Sequence, residues 1–382
     1  MTALPPNATI GIVGGGQLGR MSALAAARLG YRCHVLSPEP DSPAAQVAAA
    51  HTLGDYENPH TLRAFARAVD VITFEFENVS AAGLDLLASL RPVHPSPAIL
   101  RISQDRVLEK SFLTQAGIGT APWCAIASEG DLASQPLPAV LKTTRLGYDG
   151  KGQAVLRTPA DRGPAWATLA PRPLVLEGFV PFLCELSVIV ARGANGQTAA
   201  FDVVENRHRA GILDLTVAPA RISPARAADA QQIALRIAHA LDLVGLLAVE
   251  FFLTADGTLL VNELAPRPHN SGHWTIDACA TSQFELHIRA VAGLPLPATP
   301  RHSDAVMKNL IGEETAHWPR IVGTPGLCAH LYGKAEARAG RKMGHVTRLY
   351  ARGGLPDDQA IEDAVGWIND AIPLAPSPPT RT

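Results

Sequence analysis

Short apolar runs recur along the chain, each closed by glycine, proline or small polar residues. Thr9–Val13 is the first run; Gly14-Gly15-Gly16-Gln17-Leu18-Gly19 follows it and opens an Ala/Leu-rich helix to Leu29, where Gly30 ends the helix. Residues 33–36 predict a second strand, residues 62–68 a helix and residues 71–76 a third strand. Strands alternating with helices at this spacing predict a parallel sheet covered on both faces. Roughly the first hundred residues therefore read as a doubly wound α/β unit, ending at the proline-rich residues 91–97.

The pattern then changes. Residues 139–142, 173–177 and 185–190 are strand-like and separated by glycine-rich turns, residues 225–241 are helical, and residues 246–264 form a hairpin. A second proline-rich stretch, residues 294–300, precedes short strands and a last helix near residues 358–369, with a frayed tail over residues 373–382. No internal repeat is present.

Composition adds mainly exclusions. With 382 residues, 47% hydrophobic and 18% charged, the chain suits two or three packed domains with ample core. A formal net charge of −2 gives no basic surplus for nucleic acid. The five cysteines, Cys33, Cys124, Cys184, Cys279 and Cys328, are scattered, as expected of reduced thiols in a cytoplasmic enzyme. Neither a secretory signal nor an apolar run long enough for a membrane is expected.

Five motifs carry candidate chemistry. Gly14-x-Gly16-x-x-Gly19 after a strand is a dinucleotide-type turn whose backbone N–H groups can meet a phosphate. The second strand runs into Ser37 with Glu39 two residues later, so the acidic residue an NAD site wants does not decide the matter, and we read the turn as a seat for a substrate phosphate. Gly147-Tyr148-Asp149-Gly150-Lys151-Gly152-Gln153 is a mobile glycine loop, able to close over phosphates beside Lys142, with Arg106 a further cation.

The carboxylate pair Glu250 and Glu263 is the sharpest signal. A two-residue turn at Asp256-Gly257 sets them directly opposite, with Phe252 and Val261 on the same face. Cβ atoms so placed lie about 4.5–5.5 Å apart, a repulsive arrangement unless a cation sits between them. Oxygen-only ligands favour Mg²⁺ or Mn²⁺. The polar loop that follows, with Arg267, His269, Asn270 and Ser271, suits an anionic, hydrogen-bonding substrate. The basic cluster Lys334, Arg338, Arg341 and Lys342 is the fifth feature, either a phosphate pocket or a solvated turn.

Together these motifs resemble the N5-carboxyaminoimidazole ribonucleotide synthases, most specifically in the Gly147–Gln153 loop and the stretch from Asn262 through His273. The resemblance implies an ATP-grasp fold with three parts: an N-terminal doubly wound domain at 1–104, an ATP-grasp domain at 105–298 with a lid at about 121–180, and a small β-rich C-terminal domain at 299–376. It implies ATP bound by Arg106, Lys142, Gly147, Tyr148, Asp149, Gly150, Lys151, Gly152, Gln153, Glu177, Gly178, Phe179, Val180, Glu185, His208, Asn262 and Glu263. Residues 177–180 would form the adenine hinge, and Glu185 would hold the ribose. Gln17, Glu75, Asn78, Tyr148, Asp149, Arg267, His269, Asn270, Ser271, Lys334 and Arg341 match substrate positions. Asp149, Arg267 and Lys151 are the catalytic candidates, and Glu250 and Glu263 the metal ligands.

The implied reaction is ATP-dependent carboxylation of 5-aminoimidazole ribonucleotide with bicarbonate, through carboxyphosphate, in purine biosynthesis. A homodimer in the cytoplasm, with small-molecule substrates and no nucleic-acid or membrane partner, is expected. Three other readings compete: a formate-dependent glycinamide ribonucleotide transformylase, an NAD-dependent oxidoreductase using the first glycine turn, and a non-catalytic ATP-binding regulator. The last has no need for an acidic pair that stabilises transition-state charge.

Overall fold

The computed structural model describes residues 2–147 and 150–369. Its first sheet holds β1 (Thr9–Val13), β2 (Arg32–Ser37), β3 (Ala50–Leu53) and β4 (Val71–Phe74), in the order β3-β2-β1-β4 and all parallel. One face buries Ile10, Ile12 and Val35 against Ala23 and Ala26, and also against Ile288 and Val291 from the helix Gln283–Val291. The other buries Val13, Leu36 and Ile72 under Leu62, Phe65, Leu84 and Leu87. These strands are apolar on both sides because both sides are covered. Strand β4 stops at Phe74, two residues short of the predicted end, and this releases Glu75 toward the loops.

The second sheet is antiparallel, in the order β5-β8-β6-β7, and contains β5 (Trp123–Ile126), β6 (Ala139–Thr143), β7 (Gln153–Leu156) and β8 (Leu174–Gly178). The third is the largest, with nine strands. Its strands are β9 (Phe182–Arg192), β10 (Thr198–Ala200), β11 (Val204–Arg209), β12 (Ile212–Ala218), β13 (Gly245–Thr254), β14 (Leu259–Ala265), β15 (Asp304–Ile311), β16 (Leu327–Leu331) and β17 (Lys342–Tyr350). The order β14-β13-β9-β11-β12-β15-β17-β16 carries the C-terminal strands onto the central sheet through the β12–β15 pair.

Two helices missed by the strand-dominated reading, Pro97–Gln104 and Arg106–Gln115, link the first sheet to the rest. Asp105 separates them: it is extended, and its side chain accepts the Val107 N–H at 3.0 Å as an N-cap. Arg106, Glu109 and Lys110 then fall on one face at i, i+3 and i+4. That face meets β14, where Lys110 Nζ donates to the Asn262 carbonyl at 2.7 Å and Glu109 accepts the Leu264 N–H at 2.6 Å.

Candidate active site

A cavity of about 640 Å³ opens between the second sheet and the central sheet, with the first unit at one end. Gln17, Glu75 and Asn78 line it from that unit, and Arg106 from the capped helix. Lys142, Gly147, Gly150, Lys151, Gln153 and Phe179 line it from the second sheet and its loops. Glu185, His208, Glu250, Asn262, Glu263, Arg267, His269 and Asn270 complete it from the central sheet and the loop after β14. Tyr148 and Asp149 lie outside the described residues. Gly152, Glu177, Gly178, Val180 and Ser271 are not among the lining residues, and Lys334 and Arg341 line an adjoining cavity of about 260 Å³ with Glu39 and Asp41.

The paired glutamates stand opposite one another, but the chain reaches that register differently from the expectation. The hairpin turn has three residues, with Thr254 and Thr258 closing it and Gly257 at φ +83°. That shifts Phe252 opposite Leu260 and Phe251 opposite Val261. A bulge at Asn262 then restores the pairing of Glu250 with Glu263. Val261 consequently faces the core beside Phe251, not the cavity, while Phe252 remains in the cavity stacked on Phe182 at 4.8 Å.

Burial, then the charges of Glu263 and Glu185, push the Glu250 carboxyl well above its usual value. Arg106 pairs with Glu263 at 3.5 Å, whereas among the described residues Glu250 meets only the neutral His269 Nε2 at 3.2 Å and has no positive charge of its own in contact. Asn262 adds a buried Oδ1 with no hydrogen-bond partner, lining the same cavity. Two carboxylates and an unmet amide oxygen fit a hard divalent cation.

Behind this pair runs a buried polar chain. His269 Nδ1 accepts from Ser271 Oγ at 2.8 Å, Ser187 Oγ donates to Ser271 Oγ at 2.7 Å, and Asn206 Nδ2 donates to Ser187 Oγ at 3.1 Å. This leaves Nε2 of His269 to donate to Glu250. Burial and the nearby Arg267 and Lys342 hold the imidazole well below its usual pKa, hence neutral. Ser271 is fully buried and bears on the cavity through His269.

Glu177 is also turned inward. Its carboxylate meets Lys142 at 3.0 Å and Lys110 at 3.6 Å. Burial opposes its ionisation, yet the two lysines more than offset this and hold it below the usual carboxylate range. Lys142 is lowered by burial and by repulsion from Arg106 and Lys110.

The first glycine turn departs from the phosphate reading. Glu75 accepts from Gly16 N–H at 2.7 Å and Gly19 N–H at 3.1 Å, so the turn's anion seat is filled by the protein's own carboxylate. A Cβ at Gly16 would stand 2.6 Å from the Glu75 carboxylate, which is why this position takes glycine. The same contact removes the main support for a dinucleotide there.

Known proteins supply the deciding observation. A model of the ATP-grasp domain matches residues 111–284, one of the ribonucleotide synthetase preATP-grasp domain residues 7–104, and one of the phosphoribosylaminoimidazole carboxylase C-terminal domain residues 305–352. The N5-carboxyaminoimidazole ribonucleotide synthase of Brucella melitensis biotype 1 is 53% identical over 360 residues, covering 92% of this chain and 99% of its own. That of Bacillus subtilis (strain 168) is 43% identical over 372 residues, covering 95% and 96%. The chain belongs to the N5-carboxyaminoimidazole ribonucleotide synthases.

Solved structures of the synthase family agree. An ADP complex of one N5-carboxyaminoimidazole ribonucleotide synthetase has a TM-score of 0.92 at 43% identity, covering 97% of this chain and 98% of that one. The Aspergillus clavatus synthase, in complex with ADP and 5-aminoimidazole ribonucleotide, gives 0.85 at 32% identity, covering 95% and 98%. The fold of this chain also brings to the cavity residues that the motifs did not assign to it. Lys110 and Glu109 support the floor of the cavity, Lys342 lines it, and Glu77 pairs with Arg267 at 3.0 Å. Only the Asp105 cap and the 106/109/110 spacing signalled the first two in the sequence. Glu77 had no local signal, while Lys342 belongs to the basic cluster at 334–342.

Proposed function

We propose that this cavity binds Mg-ATP and 5-aminoimidazole ribonucleotide and carboxylates the latter with bicarbonate, giving N5-carboxyaminoimidazole ribonucleotide, ADP and phosphate. The Glu250–Glu263 pair is the observation that carries this reading, because an opposed carboxylate pair beside Arg106 and Lys142 suits a metal-bound triphosphate. In this reading the purine ring of ATP lies toward Phe179 and residues 177–180, the ribose near Glu185, and the phosphates toward Arg106, Lys142 and Lys151. His208 Nδ1 holds Glu185 at 2.6 Å and fixes its orientation.

Glu250 and Glu263 would hold Mg²⁺ or Mn²⁺, which supplies charge neutralisation at the transferring phosphoryl group. Arg106, Lys142 and Lys151 draw the γ-phosphate toward bicarbonate and stabilise the negative charge of transfer. Bicarbonate oxygen displaces ADP at phosphorus to form carboxyphosphate; the ribonucleotide amine then takes the carboxyl carbon, phosphate leaves, and the amine gives up a proton. Arg267, Asn270 and neutral His269 orient the ribonucleotide, with Gln17, Glu75 and Asn78 on the opposite wall. Lys334 and Arg341 suit its phosphate, while Tyr148 and Asp149, the remaining catalytic and binding candidates, belong to the closing glycine loop. The units 1–104, 105–298 and 299–376, a homodimer and a cytoplasmic location are part of the same reading. Among the described residues no helix is long and apolar enough to cross a membrane.

The test is turnover of ATP with labelled bicarbonate, with and without aminoimidazole ribonucleotide. Label in an acid-labile carbamate, matched to ADP formed, is expected. Label from formate instead of bicarbonate, or ADP release without ribonucleotide carboxylation, would overturn the reading.

A further inference from the structure

Outside this cavity, three ligand-type side chains from three elements converge. His330 on β16 and His345 on β17 are directly opposed in the strand register, with rings stacked at 4.5 Å. Asp277, from the helix Thr275–Ala278, faces them, and both its carboxylate oxygens lie 3.0 and 3.1 Å from His330 Nε2. One donor atom from each of the three residues lies within 4.8 Å of the other two.

His345 supplies the second, independent observation. It is fully buried, its Nδ1 is engaged by the Tyr332 hydroxyl at 2.9 Å, and its Nε2 has no hydrogen-bond partner. Buried ring nitrogens are ordinarily satisfied. Nδ1–H donating to a phenolic oxygen while Nε2 keeps a lone pair is how a ligating histidine is held, its second nitrogen fixing tautomer and ring angle. Cys328 stands two residues before His330 on the same strand face.

We infer that Asp277, His330 and His345 form a second metal site of this chain, for a zinc-like divalent transition ion, separate from the Glu250–Glu263 pair. Donors no more than 4.8 Å apart share a point within about 2.8 Å of all three, against roughly 2.0–2.2 Å in a zinc site. Shifts of up to about 0.8 Å, together with rotation of the two stacked imidazoles so that both lone pairs point at one ion, close the difference. Two imidazoles and a carboxylate suit zinc over Mg²⁺, which takes oxygen ligands. His330 is part-exposed and gives the ion a route from solvent. The site is also coupled to the substrate loop: His273 packs on His345 at 4.9 Å, and Gln283 joins His273 Nδ1 at 3.0 Å to the His269 carbonyl at 2.7 Å. An ion here would brace the loop that carries Arg267 and His269 from behind.

The experiment uses the full chain without an affinity tag, stripped with chelator and titrated with Zn²⁺ against a chromogenic indicator, and in parallel with Co²⁺ followed by its visible spectrum. Co²⁺ in a four-coordinate imidazole site absorbs far more strongly than Co²⁺ held by oxygens, so the spectrum separates this site from the Glu250–Glu263 pair. One equivalent with strong bands is expected in the wild type and in Glu263→Gln. Asp277→Asn and His330→Gln, near-isosteric changes at part-exposed positions, should weaken Zn²⁺ binding at least ~100-fold while keeping native circular dichroism. A Zn²⁺-dependent rise in Tm should appear in the wild type and vanish in both variants. Should Asp277→Asn misfold, His330→Gln alone decides. Equal binding by wild type and variants, or only weak oxygen-type bands in the wild type, would overturn the site and leave the unmet His345 nitrogen to water.

Discussion

Glu177 and Glu250 are glutamates at the margin of one cavity, yet their carboxyl groups shift in opposite directions. Glu177 is shut away with two lysines at 3.0 and 3.6 Å, and its charge is held by the protein. Glu250 faces a second carboxylate across the hairpin, and its charge is resisted. Burial acts on both; the sign of the nearest charge decides the outcome. A compensated buried charge works as scaffold, positioning Lys142, whereas an opposed pair offset only by Arg106 on the Glu263 side is strained until a cation arrives. Strain of the second kind marks a ligand site.

Breaking the scaffold should give the largest effect. Glu177→Ala leaves Lys110 and Lys142 buried without their shared carboxylate and should cost about 3–5 kcal/mol of stability in urea denaturation. A loss below about 1 kcal/mol would erase the distinction drawn between the two carboxyl groups.

Relieving the pair should instead leave stability intact and remove function. Glu263→Gln should lower kcat by about 10²–10³-fold with an unchanged Tm. Near-normal kcat with the same Mg²⁺ dependence would show that the pair holds no metal. The raised Glu250 carboxyl gives this a pH signature: protons compete with Mg²⁺ for it, so affinity should fall as pH falls and binding should release protons. Calorimetry in buffers of different ionisation enthalpy reads that release directly.

Arg267 sharpens the contrast within the cavity itself. Arg267→Met removes a charge-assisted contact worth about 1.5–3 kcal/mol, or ten- to a hundredfold in kcat/KM for the ribonucleotide. KM for ATP should stay within a few-fold; equal losses for both substrates would assign the loop to the nucleotide.

Glu109 should show the smallest effect. Burial, reinforced by Glu263 and opposed by Lys110 and Arg106, raises it to about 8. A carboxyl raised in the folded state contributes stability at acid pH that is lost as pH rises from about 4.5 through about 8. Glu109→Gln should flatten that slope in a series of Tm measurements across this window. An unchanged slope would assign the pH dependence to other groups.

The sequence by itself determined the parallel first sheet, the glycine loop and the opposed glutamates, because each follows from local periodicity or from spacing within one hairpin. Even there the route was tertiary: a three-residue turn and a bulge at Asn262 together give the register that a two-residue turn would have given alone. Two compensating irregularities leave no trace in the spacing. Only the tertiary structure decided that Glu75 fills the first glycine turn from 56 residues away, and that Glu177 points at Lys110 and not into the cavity. The pairing of Arg267 with Glu77, and the gathering of Asp277, His330 and His345 from three elements, were decided the same way. Long-range pairing of charges depends on which strands become neighbours, and adjacency between β12 and β15 or β16 and β17 is set by the packing of whole sheets. Local periodicity specifies an element and its buried face; it does not specify which charge will stand opposite that element once the sheets assemble.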